Sequence, residues 1–317
     1  MATGTGTIWS LPNYIGELFT ADATATPLLS MAGGLSGGVQ TTNFEFPTGV
    51  TFNYPTAGQP DISEDASLTA PNAEEIEREQ LSNVCQIFQY AIDLSYAKMS
   101  SSGRLTGIAT AGQEANPANE KDWQIAQALV RLARDVEYTF INGKYQKSTS
   151  SAVSNKSRGM LELCKTSDGT SIDASGATLS KALLDSLFLG MANAGASFTN
   201  PVMFCGAKVK QALSDIYAKQ FAIATAETKN VGGYNIQTVE TDFAKVGIVW
   251  DRFMPDDSLL VADMAYVKPV FQVVPDKGVV FVEDLAKVGA SDRSQLFSQV
   301  GLDHAPAYLH GSITKLG

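Results

Sequence analysis

Apolar and polar positions follow two different periods along this chain, and the change between them predicts its elements. Residues 41–54 alternate: Phe44 and Phe46, then Val50, Phe52 and Tyr54, interrupted by Pro47-Thr48-Gly49. The pattern predicts a hairpin turning at Pro47–Gly49. From Val84 the even positions Phe88, Tyr90, Ile92, Leu94 and Tyr96 are apolar. A strand longer than the usual ~5–6 residues fits this best, although Val84, Ile87, Phe88, Ala91, Ile92, Ser95 and Met99 also trace a helix face. Between the two, 55–82 is polar and acidic, with Pro55, Gly58, Pro60 and Pro71. Long strands flanking such a loop project from a domain rather than fill it.

The helical period is clearest over 117–142. Asn116-Pro117 opens it and Asn142-Gly143 stops it. Ile125, Leu129, Leu132 and Val136 form one stripe, with Arg131, Arg134, Asp135 and Glu137 on the other sides. A second helix over about 179–194 carries Leu179, Leu183, Leu187 and Met191, and a third covers 207–219. Strands are expected at 200–205, 234–241, 246–251, 258–263, 267–274, 278–283, 294–302 and 306–314. No internal repeat is visible, and strands and helices are segregated rather than alternating, which indicates α+β.

Residues 1–40 are rich in Gly, Ala, Thr and Ser, with isolated anchors that include Ile8, Trp9, Tyr14, Leu18 and Phe19. Their apolar density is too low for a separate core, yet Trp9 and Phe19 do not suit a solvated tail. An arm laid on another surface fits both facts. Charge sharpens this picture. Of a net −10, the first eighty residues contribute −9, from ten acids against Arg78 alone. A start without cations fits neither a secretory signal nor a mitochondrial presequence, and a −9 segment does not wrap nucleic acid. With 44% apolar residues the chain is not of the disordered class, and no stretch is long enough to span a bilayer, so no membrane partner is expected. Cys85, Cys164 and Cys205 are widely spaced and read as reduced, buried thiols.

Candidate chemistry is sparse. Gly34-Leu35-Ser36-Gly37-Gly38 satisfies G-x-S-x-G, but a hydrolase needs a strand before the serine, a helix after it and a histidine base. The histidines, His304 and His310, stand near the far end, six apart in a strand pattern; with no carboxylate at ligand spacing they make no metal site. Asp61, Glu64, Asp65 and Asp256-Asp257 lack the ligand order of a calcium loop. Asn155-Lys156-Ser157 is a glycosylation sequon without a secretion route. No catalytic, metal or cofactor residues are expected, and a serine hydrolase built on Ser36 is a distant alternative to a structural role.

Two stretches carry a family resemblance. One runs from Thr241-Asp242-Phe243 through Trp250-Asp251-Arg252-Phe253-Met254-Pro255 to Leu259-Leu260-Val261-Ala262-Asp263 and Tyr266-Val267. The other holds Leu302, His304 and Ala307-Tyr308-Leu309-His310-Gly311-Ser312-Ile313. A weaker echo is Arg134-Asp135-Val136-Glu137-Tyr138 with Asn142-Gly143. Together they resemble major capsid proteins of tailed phages with the Hong-Kong-97-like shell fold. The resemblance implies an N-terminal arm at 1–38 and an extended loop at 39–98. It implies a peripheral domain at 99–171 and 267–317 with the spine helix 117–142, and an axial domain at 172–266. It further implies a protein that self-assembles into hexamers and pentamers around packaged dsDNA, in the virion, after assembly in the bacterial host cytoplasm. A portal protein and scaffolding and decoration proteins are the partners it brings. Trp9, Phe19, Phe44, Phe46, Phe52 and Tyr54 are the expected inter-subunit contacts. Acid facing the DNA would limit sticking. An encapsulin-type compartment shell protein is the alternative within the same fold.

Overall fold

A computed structural model describes residues 25–54, 57–70, 75–100, 120–220, 228–231 and 234–317. The chain opens with α1 (Pro27–Ala32), β1 (Val39–Thr41), β2 (Glu45–Asn53), α2 (Glu64–Ser67), β3 (Glu77–Val84), β4 (Gln86–Ser95) and α3 (Tyr96–Ser100). The long helix α4 (Glu120–Asn142) and the short α5 (Met160–Leu163) follow. Then come β5 (Thr170–Asp173), α6 (Lys181–Ala194), β6 (Pro201–Cys205), α7 (Ala207–Gln220), β7 (Thr228–Val231), β8 (Tyr234–Glu240) and β9 (Lys245–Trp250). The last strands are β10 (Leu259–Asp263), β11 (Lys268–Gln272), β12 (Val280–Asp284), β13 (Ser291–Asp303) and β14 (Gly311–Thr314).

A seven-stranded mixed sheet, ordered β5-β14-β10-β6-β9-β8-β7, forms a wall between two cores. Successive side chains on a strand face opposite ways, and here both faces are buried. Val202, Phe204, Leu260, Ala262 and Val249 point into one cluster with α1, α4 and α5. Met203, Cys205, Leu259, Val261 and Ile248 point into the other, under α6 and α7. That is why β6 and β10 are uninterrupted apolar runs rather than alternating ones. Ser180 caps α6 by accepting from the Leu183 N–H, and Gly195 closes it in the left-handed conformation.

A second sheet has β13 at its centre, with β4 on one side and β11 and β12 on the other; β1 adds to β11 in parallel. Phe88, Ile92 and Leu94 of β4 face inward, as the even-position pattern predicts. Helix α4, about 34 Å long at 23 residues, braces this sheet; the predicted start at 117 lies outside the described residues. Its buried face is Ala128, Leu132, Val136 and Phe140, whereas Leu129, expected in the stripe, is exposed. Glu137, expected on an outer side, is fully buried, because it serves the backbone of α1.

Strand pairing divides the chain at other points than the sequence boundaries. Strand β4, expected in the extended loop, pairs with β13 over ten residues. Strand β14, expected with the peripheral segment, pairs with β10 and β5 in the seven-stranded sheet. The strand expected over 306–314 begins only at Gly311, after a 3-10 turn at Ala307–Leu309. His304 and His310 are therefore not on one strand face. The hairpin expected within 41–54 is instead one strand, β2, paired with β3.

Candidate assembly surface

The β2–β3 ribbon carries Phe46 and Phe52 of the expected contact residues, with Phe44 and Tyr54 flanking β2, and its backbone explains which way Phe46 and Phe52 face. The register runs from Glu45↔Val84 to Asn53↔Glu77, with an irregularity between Pro47 and Gly49 that leaves Thr48 unpaired. An extra residue in one strand shifts the following side chains to the opposite face. Phe46 shares a face with its partner Asn83, while Val50 and Phe52, beyond the bulge, share the opposite face with Gln80 and Arg78. The sequence reads Pro47-Thr48-Gly49 as a turn between Phe46 and Val50; the strand instead runs on through it, and the bulge puts the two on opposite faces. Pro47 is tolerated because this ribbon has only two strands. Gly49 packs closely on the β13–β14 connection, since a Cβ there would lie 3.0 Å from the Pro306 nitrogen.

Phe46 is accordingly inside, 7% exposed, in a small cluster with Cys85 and Val270. It is corrected from a contact residue to the ribbon's anchor. Burial pushes the Cys85 thiol up to about 12, so it stays protonated. Asn83 ties the same base to two distant segments: its Nδ2 donates to the Leu302 carbonyl at 2.8 Å, and its Oδ1 accepts from the Arg158 N–H at 2.8 Å. Glu45 bridges Lys147 and the Ser82 hydroxyl, and the Lys147 ammonium holds its carboxyl below the usual range.

Beyond that base the ribbon is open. Phe44 and Phe52 are 51% exposed and Tyr54 67%, the last two with ring centroids 6.2 Å apart. Sequence reasoning missed three further apolar side chains on the acidic excursion, Ile62, Leu68 and Ile76, which are 69%, 84% and 50% exposed. They sit singly among acids, with no period to mark them. Their acidic neighbours Asp61, Glu64, Asp65, Glu75, Glu77 and Glu79 are exposed as well, and no metal-holding group occurs among the described residues. Trp9 and Phe19 lie outside the described residues.

Ser36 stands exposed in a turn between α1 and β1, not on a strand-to-helix elbow. Both histidines are fully buried in the β13–β14 connection. His310 donates from Nε2 to the His304 carbonyl at 2.6 Å and accepts the Asp263 N–H at Nδ1; His304 Nδ1 donates to the Ala305 carbonyl at 2.7 Å. Burial lowers them to about 4 and about 3, so they are neutral braces. No helix among the described residues is long and apolar enough to cross a membrane.

The fold is that of known shells. The capsid asymmetric unit of cyanophage A-1(L) superposes with a TM-score of 0.67 at 11% identity, over 96% of each chain. The capsid of cyanophage P-SCSP1u gives 0.57 at 11%, over 99% of this chain and 96% of the other. The holo-SrpI encapsulin of Synechococcus elongatus PCC 7942 gives 0.59 at 11%, over 95% and 92%. At such identity these likenesses speak for the fold alone, which encapsulins share. No curated protein sequence matches the chain. The family model described as SU10 major capsid protein matches residues 1–317, and this separates the phage reading from the encapsulin one. The chain belongs to the SU10 major capsid protein family, the shell-forming subunits of phage virions, in the Hong-Kong-97-like fold.

Proposed function

We propose that this subunit builds its shell as hexamers and pentamers in which the β2–β3 ribbon of one copy lies on a neighbouring copy. The covered residues are Phe44, Val50, Phe52, Tyr54, Ile62 and Leu68, with Trp9 and Phe19 anchoring from the arm at 1–38. The observation that carries this reading is the row of exposed apolar side chains on a ribbon that has no core of its own beyond Phe46. Apolar surface gains about 25 cal/mol per Å² when removed from water, and the neighbouring rings of Phe52 and Tyr54 with Val50 offer such surface. In this reading the helix α4 and its sheet form the peripheral domain, and the seven-stranded sheet with α6 and α7 the axial domain. The shell assembles in the host cytoplasm, admits a portal protein at one position, takes help from scaffolding or decoration proteins, and encloses dsDNA without reading it.

The test is assembly of Phe52→Ala/Tyr54→Ala followed by electron microscopy and size-exclusion chromatography. Folded subunits that no longer close into shells are expected. Normal shells from the double variant would remove the ribbon from the interface.

A further inference from the structure

Positive charge is unevenly spread over this acidic chain. Between Glu137 and Glu162 stand Lys144, Lys147, Lys156 and Arg158 with no acid, and no other acid-free stretch holds more than two cations. Several cations elsewhere already have a carboxylate, such as Lys121 with Asp284, Lys181 with Asp185, Lys277 with Glu283 and Lys315 with Asp173. The 144–158 segment leaves the C-terminal end of α4 and doubles back, Gln146 and Lys156 exchanging both backbone bonds at 3.1 and 2.9 Å. It is held in place: Glu162 accepts the Tyr145 N–H, Asn155 Oδ1 accepts the Ser148 N–H at 2.7 Å, and the Ser157 hydroxyl accepts the Leu302 N–H at 3.3 Å. Arg158 covers the Tyr145 ring at 4.5 Å and Lys147 pairs with Glu45 at the base of the ribbon. Lys144 and Lys156 are left exposed, without an ion pair among the described residues.

The complementary charge is on the same chain but out of its own reach. Residues 57–79 hold Asp61, Glu64, Asp65, Glu74, Glu75, Glu77 and Glu79 against Arg78 alone. The described acids among them are exposed and have no ion pair among the described residues. Glu64 and Asp65 are presented on a capped turn, α2, where the Ser63 hydroxyl accepts the Ala66 N–H. The Lys147–Glu45 pair fixes the ribbon's base beside the basic hairpin, and Glu79, the first acid of the group along the ribbon, stands opposite Thr51, six residues beyond Glu45. At ~3.3 Å per residue that is about 20 Å, or two screening lengths of roughly 8–10 Å at ordinary ionic strength. The ribbon therefore carries its acids away from the cations at its own root.

We propose, resting on the ribbon contact above, that the hairpin at 144–158 is the docking surface for the acidic excursion of a second copy, Lys144 and Lys156 receiving the carboxylates of Asp61, Glu64 and Asp65. The apolar side chains of the ribbon supply the contact area, and the charges select the surface it lies on. Exposed ion pairs add little affinity singly; what they set is encounter rate and orientation. Two excursions meeting would bring −6 against −6, and two hairpins +4 against +4, so like patches repel. Donor and acceptor are different patches of one chain, and each copy offers one of each. The contact is then head to tail rather than twofold, which is the kind that closes into rings.

The experiment compares shell assembly of the full chain, by light scattering and electron microscopy, in wild type, Lys144→Glu/Lys156→Glu, Glu64→Lys/Asp65→Lys and all four changes together. Either pair alone should raise the subunit concentration needed for assembly roughly tenfold or more, and the combination should bring it back to within a few-fold of wild type. Unchanged assembly in either pair, or no rescue in the combination, overturns the docking surface. Shells that form normally from Lys144→Glu/Lys156→Glu but retain less DNA would give the hairpin to nucleic acid and overturn it as well. The two readings separate through Phe52→Ala/Tyr54→Ala: if that variant fails to assemble while the charge variants assemble normally, the ribbon keeps its place and only the hairpin falls. Zero-length carbodiimide cross-linking of wild-type shells co-assembled from isotope-labelled and unlabelled subunits needs no variant to fold. Lys144 or Lys156 of one copy should be joined to Asp61, Glu64 or Asp65 of another, and the absence of that product among other cross-links overturns the proposal.

Discussion

Replacing Phe46 and Phe52 by alanine one at a time tests the bulge directly, because the two residues read alike in the sequence and opposite in the structure. Phe46 is 7% exposed, and a Cβ built on Gly301 would lie 2.8 Å from its ring, so the ring rests on that backbone. Phe→Ala in a core costs about 3–5 kcal/mol. The cluster here holds only Phe46, Cys85 and Val270, so the lower end applies, about 3 kcal/mol, or on the order of a hundredfold in the folding equilibrium. Phe52 already leaves half its surface in water, and its truncation falls within about 0.5 kcal/mol, as surface changes do. Urea unfolding of dissociated subunits reads both, as a shift in midpoint at constant slope. Phe46→Ala should lower the midpoint clearly and Phe52→Ala should not, while Phe52→Ala should weaken assembly. Equal losses, or the larger one from Phe52, would refute the claim that Thr48 reverses the faces.

Gly143→Ala should cost roughly 1–3 kcal/mol or more by overpacking, because the new Cβ would sit 2.4 Å from the Thr139 carbonyl oxygen and 2.5 Å from that of Ser157; thermal melts of dissociated subunits check it. Stability should fall as pH drops from about 6.5 toward about 4, since the unfolded chain then protonates His310 and the folded chain, with His310 lowered to about 4, does not. The loss reaches about 3 kcal/mol for this residue, and His310→Gln, keeping a donor for the His304 carbonyl, should flatten the acid limb of urea midpoints measured against pH.

Much of the fold was legible because one period dominates each element. The even positions of β4 face inward, α6 ends before Gly195, and the uninterrupted apolar runs of β6 and β10 fit a sheet covered on both sides. What escaped was set by partners distant in sequence. Pro47-Thr48-Gly49 has turn composition, and only β3 and Pro306 make it a bulge. Glu137 has the chemistry of a solvent-facing helix position, and only the two α1 amides bury it. Of the expected assembly surface, Phe44, Phe52 and Tyr54 are exposed and Phe46 is not. Ile62, Leu68 and Ile76 could have been noticed only as apolar residues that no periodic segment claimed.

The residues that carried the family resemblance include several of the chain's buried polar anchors. Asp251, fully buried, holds the Phe253 amide. Asp263 accepts the Thr199, Asn200 and Ala265 amides and the Ser197 hydroxyl, at 2.8, 2.9, 3.2 and 3.3 Å. His310 joins the Asp263 amide to the His304 carbonyl. Apolar core residues of similar volume exchange at little cost, so a shared fold leaves weak traces in them. A buried carboxylate or imidazole that satisfies particular backbone groups has no such substitute. The need for one particular partner accounts for these positions standing out in the sequence. Its absence accounts for the silence of the sequence about the ribbon: an interface that needs only exposed apolar side chains at adequate density is satisfied by many residues, and leaves no fixed motif to read.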